Sequence, residues 1–234
     1  MREWWREFAG LVLPVACGGC GRPRTELCAV CGDALSGREP CRVRPSPEPP
    51  GLPVVHAVAP YENAVRALLL AHKERGALAL ARPLGDALAA AVRAGQDGPV
   101  LLVPVPSARR ATAARGHDPV RRLARAATAA LRHSGTPARV LPVLRQRRRV
   151  ADQAGLRAAE RRANLAGALE AVPGSERLLA AGRVVLVDDL LTTGATLAEA
   201  ARAVGPALRR AGAGAPPGAA VVAASPSAFG INRN

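Results

Sequence analysis

The chain has 234 residues, 49% apolar but only 2% aromatic, so it can form one ordinary domain plus a small appendage with a core of Ala, Leu and Val. No run of eighteen apolar residues occurs, which excludes a membrane-spanning helix. The net charge of +15, almost wholly arginine, favours phosphate-rich partners, nucleotide or nucleic acid; an Ala-, Arg-, Gly- and Pro-rich composition also follows from GC-rich coding, so charge alone decides nothing.

Residues 1–16 carry Trp4, Trp5, Phe8, Leu11 and Val12 among Arg and Glu, an amphipathic helix pattern suited to docking on a neighbouring module or partner. The run from Ala9 to Ala16 is too short, and too interrupted by Pro14, to read as an export signal ending at Cys17. Cys17-x-x-Cys20 and Cys28-x-x-Cys31 follow. Two such pairs supply four thiolates for tetrahedral Zn²⁺ in a closed structural site; two disulfides are the alternative, but nothing else marks a secreted chain. Cys41 lies outside this spacing. The proline-rich run 46–53 reads as a semi-rigid linker, separating an amino-terminal helix and zinc module (1–45) from a main domain (54–234).

In the main domain, Val54–Val58 predicts a short edge strand and Tyr61–Gly76 a helix with Val65, Leu68 and Leu69 inside. A second helix is predicted over Leu78–Arg93, starting near Pro83 or kinked by it. Val100–Val103 predicts a central strand. It ends in Pro104-Val105-Pro106-Ser107, followed by Arg109, Arg110, Arg115 and Gly116. In a parallel sheet these arginines open on the ligand-binding edge and could clamp a pyrophosphate; a solvated Arg-rich loop is the competing reading. Asp118-Pro119 has the form of an N-cap with proline at the first helical position, ahead of a stripe of Val120, Leu123, Ala127 and Leu131. Val140–Leu144 predicts an edge strand because of Pro142.

Residues 145–169 open with a block of arginines and read as a basic flap that could close on a polyanion, with Arg147, Arg149, Gln153 and Arg157 as candidate contacts; a solvated basic helix or a nucleic-acid contact fits nearly as well. The sharpest pattern is Val184-Val185-Leu186-Val187-Asp188-Asp189, then Leu190-Leu191-Thr192-Thr193-Gly194-Ala195-Thr196. A buried parallel strand ends in two carboxylates, and a hydroxyl-and-glycine loop leads into a helix. That order places a ligand site at a strand's carboxyl end, where glycine and a helix start favour an anion. A P-loop enzyme shares the acidic strand but needs G-x-x-x-x-G-K-[ST]; the only lysine, Lys73, follows His72, so that loop is absent. Beyond the signature, Gly205-Pro206 predicts a kinked or split helix, Ala219–Ala224 a last strand, and 225–234 a loose tail.

The thirteen-residue pattern resembles the phosphoribosyl-pyrophosphate (PRPP) signature of type I phosphoribosyltransferases. The resemblance implies that Asp188 and Asp189 hold ribose hydroxyls, and are the catalytic candidates, while Leu191 to Thr196 cradle the 5-phosphate. With the paired C-x-x-C pairs, the VPVP strand end followed by RR and RG, and the basic R-x-R…Q…L…R…N segment, the chain resembles the ComF family over nearly its whole length. That implies an α/β, type I phosphoribosyltransferase-like fold of mostly parallel sheet with flanking helices, plus a small zinc-ribbon-like module. It further implies PRPP or nucleotide binding with Mg²⁺, a cytoplasmic location, and a part in competence and DNA uptake beside single-stranded DNA and a DNA-translocating helicase. PRPP contacts would come from Asp188, Asp189, the 191–196 loop, Ser107, Arg109, Arg110 and Arg115. One departure stands out. Where such proteins tend to read Phe-Asn-Gln after Arg-Gly, this chain has His117-Asp118-Pro119.

Overall fold

The continuous apolar runs come together as one sheet in the computed structural model, which describes residues 15–95, 98–107, 112–113, 115–148, 164–213 and 215–232. The amino-terminal helix expected over 1–16 lies almost wholly outside them. Among the described residues, the strands are β1 (Cys41–Val43), β2 (Val55–Pro60), β3 (Val100–Pro104), β4 (Ala138–Val140), β7 (Arg183–Leu191) and β8 (Gly218–Ala224), in the order β1-β2-β8-β7-β3-β4. Only β1 is antiparallel. Val54–Val58 was expected at an edge, but the three residues of β1 pair outside it and leave β2 covered on both sides. A separate hairpin joins β5 (Leu144–Gln146) to β6 (Leu169–Ala171). The single strand expected over 140–144 is thus divided. Pro142 can donate nothing to a ladder, and the chain changes sheets there.

Both faces of the parallel sheet are covered, which is why its strands read as unbroken apolar runs. On one face, Leu102, Val185, Val187, Ala220 and Val222 pack against α2 (Asn63–Glu74), α3 (Ala81–Gly95) and α4 (Pro119–His133). On the other, Leu101, Val103, Leu186 and Val221 pack against the short α5 (Glu176–Leu179) and against α6 (Ala195–Arg210). The Asp118 carboxylate caps α4, accepting from the Arg121 N–H at 3.1 Å, with Pro119 next in the chain. Helix α6 runs through Gly205-Pro206 without dividing. Ala203, Val204, Ala207 and Leu208 stay buried on both sides of the proline, so packing holds the turn that the missing N–H weakens. The tail is not loose: a 3₁₀ turn spans Pro226–Asn232, and the Ala228 carbonyl accepts from the Arg44 N–H at 3.0 Å beyond β1. No described helix is long and apolar enough to cross a membrane.

The double-cysteine segment is built into the main core. Helix α1 (Ala29–Ser36) follows Cys28, and Cys17, Cys28 and Cys31 are buried among Leu68, Leu69, Leu80 and Leu84. A Cβ at Gly18 would stand 2.7 Å from Leu80 and one at Gly19 2.7 Å from Cys31 Sγ, so the first glycine lets the segment lie close on the turn before α3 and the second leaves room for the Cys31 thiol.

Candidate functional site

Strands β3 and β7 are neighbours, yet the helices that follow them leave for opposite faces, α4 on one and α6 on the other. Their carboxyl ends therefore part around a crevice, the topological switch point at which open α/β sheets bind ligands. Asp188 and Asp189 lie near the carboxyl end of β7, and Ser107 lies just beyond β3.

The two acids differ. Asp189 is 6% exposed, and its Oδ2 accepts from Lys73 Nζ at 2.8 Å. Lysine 73 comes from the last turn of α2, which crosses the carboxyl edge: Tyr61 N, just before the helix, bonds the last carbonyl of β8, at Ala224. Asp188 is half-buried, and its Oδ1 accepts from the Asp189 N–H at 2.8 Å. Burial pushes Asp188 well above the usual carboxylate range, and the adjoining Asp189 charge adds to this. Burial also works against ionised Asp189, but the Lys73 ammonium outweighs it and holds this acid below its ordinary value. Lys73 is raised in turn: desolvation opposes its charge, and Asp189 and Asp188 overcome that. The result is one ionised acid held by a cation beside a second acid that keeps its proton more readily.

The loop after β7 turns at Gly194, whose φ of 75° is left-handed and which caps the sixteen-residue α6. A Cβ there would also stand 3.1 Å from both methyl carbons of Leu52 and 3.2 Å from Pro49. The proline-rich run thus packs directly behind the loop, and only glycine satisfies both the dihedral and the approach. Thr192 is exposed and Thr193 and Thr196 are half-buried, while Leu191 and Ala195 are buried anchors. Thr193 Oγ1 accepts weakly from the Ala195 N–H at 3.5 Å. The N–H groups at a long helix's start, with hydroxyls beside them, suit an oxyanion.

Across the crevice, Ser107 Oγ donates to Asp118 Oδ1 at 3.3 Å, so this hydroxyl is tied to the cap of α4. Arg115 Nε pairs with Glu74 Oε2 at 3.1 Å, next in sequence to Lys73. Arg109 and Arg110 lie outside the described residues, as do Arg149, Gln153 and Arg157 of the expected flap. Arg147 is described and exposed at the base of that segment, where its N–H bonds the Ala168 carbonyl at 2.9 Å. Arg148 donates to the carbonyls of Asn164 and Ala166, both at 2.8 Å, drawing the two ends of the segment together. Buried Glu199 on α6 accepts from the Leu169 N–H at 2.9 Å and from Arg202 at 2.6 Å, which fastens the β5–β6 hairpin to the helix behind the glycine loop.

Lys73, Glu74 and His72 were not expected at this edge. The pair that joins Lys73 to Asp189 spans 116 residues, and no local spacing foretells it. The one available signal was that the chain's single lysine sits at the end of a predicted helix, among cations that are otherwise all arginine.

The sulfur atoms of Cys17, Cys20, Cys28 and Cys31 all lie within 4.8 Å of one another, and all five cysteines are free of disulfides. Zn–S bonds of about 2.3 Å in a tetrahedron place sulfurs nearly 4 Å apart, so the four fit a metal such as zinc. Desolvation opposes a thiolate at Cys17, but backbone N–H groups of Cys28, Cys20 and Gly19 outweigh it and bring its thiol down to about 6. Burial and the neighbouring thiols raise Cys31. Such crowding is relieved by a cation that takes all four as thiolates. Cys41 stands apart on β1.

No protein-family model matches this chain, and no curated protein matches it.

Proposed function

We propose that the chain is a PRPP-binding, type I phosphoribosyltransferase-like protein, kin in design to the ComF family, that transfers, or descends from an enzyme that transferred, a phosphoribosyl group to a nitrogenous base. The observation that carries this reading is the order of groups at the switch point: two acids at the end of β7, then, five residues after Asp189, a left-handed glycine at the head of α6. An acid pair accepts from vicinal ribose hydroxyls, and a helix start with threonines receives the 5-phosphate.

In the reaction, the bond from the sugar's anomeric carbon to pyrophosphate breaks with its electron pair leaving on pyrophosphate. A ring nitrogen of the base forms the new bond and gives up its proton. Ionised Asp189, fixed by Lys73, and Asp188 would hold the ribose while positive charge grows on the carbon. Arg115, with Arg109 and Arg110, would receive the departing anion. Mg²⁺ would be held mainly through the ligand's phosphate oxygens and would neutralise part of their charge. Arg147, Arg149, Gln153 and Arg157 belong to the segment that would shield the cation from water. The four cysteines would hold a structural zinc ion.

Calorimetric titration with Mg²⁺–PRPP tests the site, and pyrophosphate release with a panel of bases tests transfer. Saturable binding, weakened at least tenfold in Asp189→Asn, is expected. Absence of binding in protein with its metal loaded would overturn the reading, whereas binding without release from any base would leave a sensor rather than a transferase.

The net charge of +15 favours a second reading, a non-catalytic PRPP- or nucleotide-sensing module that engages single-stranded DNA or a helicase in the cytoplasm during DNA uptake. Phosphate contacts would make its DNA affinity fall steeply with salt. An affinity unchanged across a salt titration would count against it.

A further inference from the structure

Buried side-chain nitrogens without a partner are rare, and a group of them marks a place where another molecule completes the bonding. Among the described residues four such atoms belong to one corner: His72 Nε2, Arg115 Nη1, His117 Nε2 and Arg122 Nε. His72, at the end of α2, is 1% exposed. Its ring lies 6.2 Å from that of His117 in an edge-on arrangement, and the charge of Arg122 acts on it directly. His117 and Arg122 also line a groove of about 1140 Å³ between α3 and α4. Ala126, Ala130, Arg82, Arg121 and Arg125 line it too, and Asp86 and Asp118 are the acids of its lining. Arginines outnumber acids along this groove, so an anion is drawn towards its His117 and Arg122.

The hydrogen-bond roles are constrained. The Arg115 carbonyl can only accept, and it lies 3.0 Å from His117 Nδ1, so that nitrogen carries a proton. In the neutral ring Nε2 is then a bare lone pair that asks for a donor. The two guanidinium nitrogens ask for acceptors. We infer that the corner of His72, Arg115, His117 and Arg122 is an oxyanion subsite, distinct from the threonine–glycine loop and sharing only Arg115 with the proposed pyrophosphate contacts, selective for an anion that is also a hydrogen-bond donor. Inorganic hydrogen phosphate has this character: charged oxygens for Arg115 and Arg122, and a P–OH for His117. Sulfate is fully deprotonated at neutral pH and lacks the donor, so it satisfies the arginines alone. The departure His117-Asp118-Pro119 thus supplies a ligand contact of its own, with Asp118 spent on capping α4 and His117 turned inward.

Inorganic phosphate and sulfate, without Mg²⁺ or PRPP, are the probes, titrated into the full metal-loaded protein at pH 7.5 and constant ionic strength. The ring ¹⁵N resonances of His72 and His117 are the readout. Phosphate should shift both saturably and bind about tenfold more tightly than sulfate, one hydrogen bond's worth. His117→Phe should bring phosphate down to the affinity of sulfate, and Arg122→Gln should weaken both anions at least tenfold. Equal affinities in the wild type, or no saturable shift of either ring with phosphate, would overturn the inference and leave the corner to water. Because PRPP is absent, a failure here is separate from any failure at the Asp188–Asp189 site.

Discussion

Lys73 Nζ lies 2.8 Å from Asp189 Oδ2, joining the end of α2 to the end of β7 across the carboxyl edge of the sheet. The Asp189 side chain is 9% exposed and that of Lys73 34%. The acid therefore depends on the lysine more than the lysine depends on the acid. Lys73→Met leaves a covered carboxylate without its cation and should cost about 2 kcal/mol, below the full value for a buried pair because Lys73 is partly solvated. Lys73→Met with Asp189→Asn should recover at least half of that loss. Urea denaturation of the two singles and the double measures the coupling, and strictly additive effects would show that the pair does not act as a unit.

What could be read in advance follows from the range of the physics involved. The β7 strand, its acid pair and the glycine heading α6 are contiguous, and their chemistry is visible in one short window. The same holds for the four cysteines, whose spacing alone brings thiols together, and for Asp118-Pro119, a cap made within three residues. Lys73 and His72 acquire their meaning only when α2 is laid across the sheet edge, 116 residues in sequence from Asp189. Strand β1 was illegible for a different reason: three residues beside a proline-rich run carry no periodicity, and the partner strand β2 supplies the order. The proline-rich run was read as a spacer from composition. The packing of Leu52 and Pro49 against Gly194 is a tertiary contact that composition does not encode.

Gly194→Ala tests that contact. The substitution places a Cβ on a left-handed residue and presses it to 3.1 Å from Leu52, so loop and linker must both shift. A loss of about 1–2 kcal/mol is expected in thermal or urea unfolding, with PRPP affinity falling as well. Adding Leu52→Ala should relieve the crowding but not the dihedral, returning only part of the stability. Full recovery in the double variant would show that the left-handed turn itself costs alanine nothing here.

Glu199 carries a different load. It is buried on α6 and meets both the Leu169 N–H and Arg202, which also donates to the Leu169 carbonyl at 2.8 Å. Burial raises this acid, but the bonds from Arg202 and the backbone outweigh it and hold it below its ordinary value. Glu199→Leu strips the hairpin of this tie and should speed amide exchange at Leu169 and Ala171 by about tenfold or more, while Leu102 in β3 keeps its protection. Uniform acceleration would instead indicate loss of global stability.

Metal removal should reach the candidate site through α2. Cys17, Cys28 and Cys31 are buried against Leu68 and Leu69, the apolar stripe of the helix whose last turn carries Lys73. One metal ion per chain is expected, and a chelator should lower stability by several kcal/mol while exposing thiols to reagent. Amide protection in α2 should fall before that of β7. If chelation leaves α2 unchanged, the cysteine cluster is not what holds that helix in place.

Acid should weaken the fold through His72. Burial, then the charges of His117 and Arg122, lower this imidazole to about 4, against 6.5 in an open chain, with Lys73 acting in the same sense and Asp189 opposing. The native state thus prefers the neutral ring, and the unfolded chain binds the extra proton. Stability is full above pH 6.5, falls as pH drops towards 4, and loses this dependence below about 4, where both states are protonated. The loss is on the order of 2 kcal/mol, less than the shift converts to in full. Urea midpoints for wild type and His72→Gln isolate the effect, because acid release of any metal held by the cysteines is common to both. The glutamine variant should be less stable at pH 7 but flatter between pH 6.5 and 4. Parallel curves for the two proteins would mean that His72 takes up its proton without cost in the folded state.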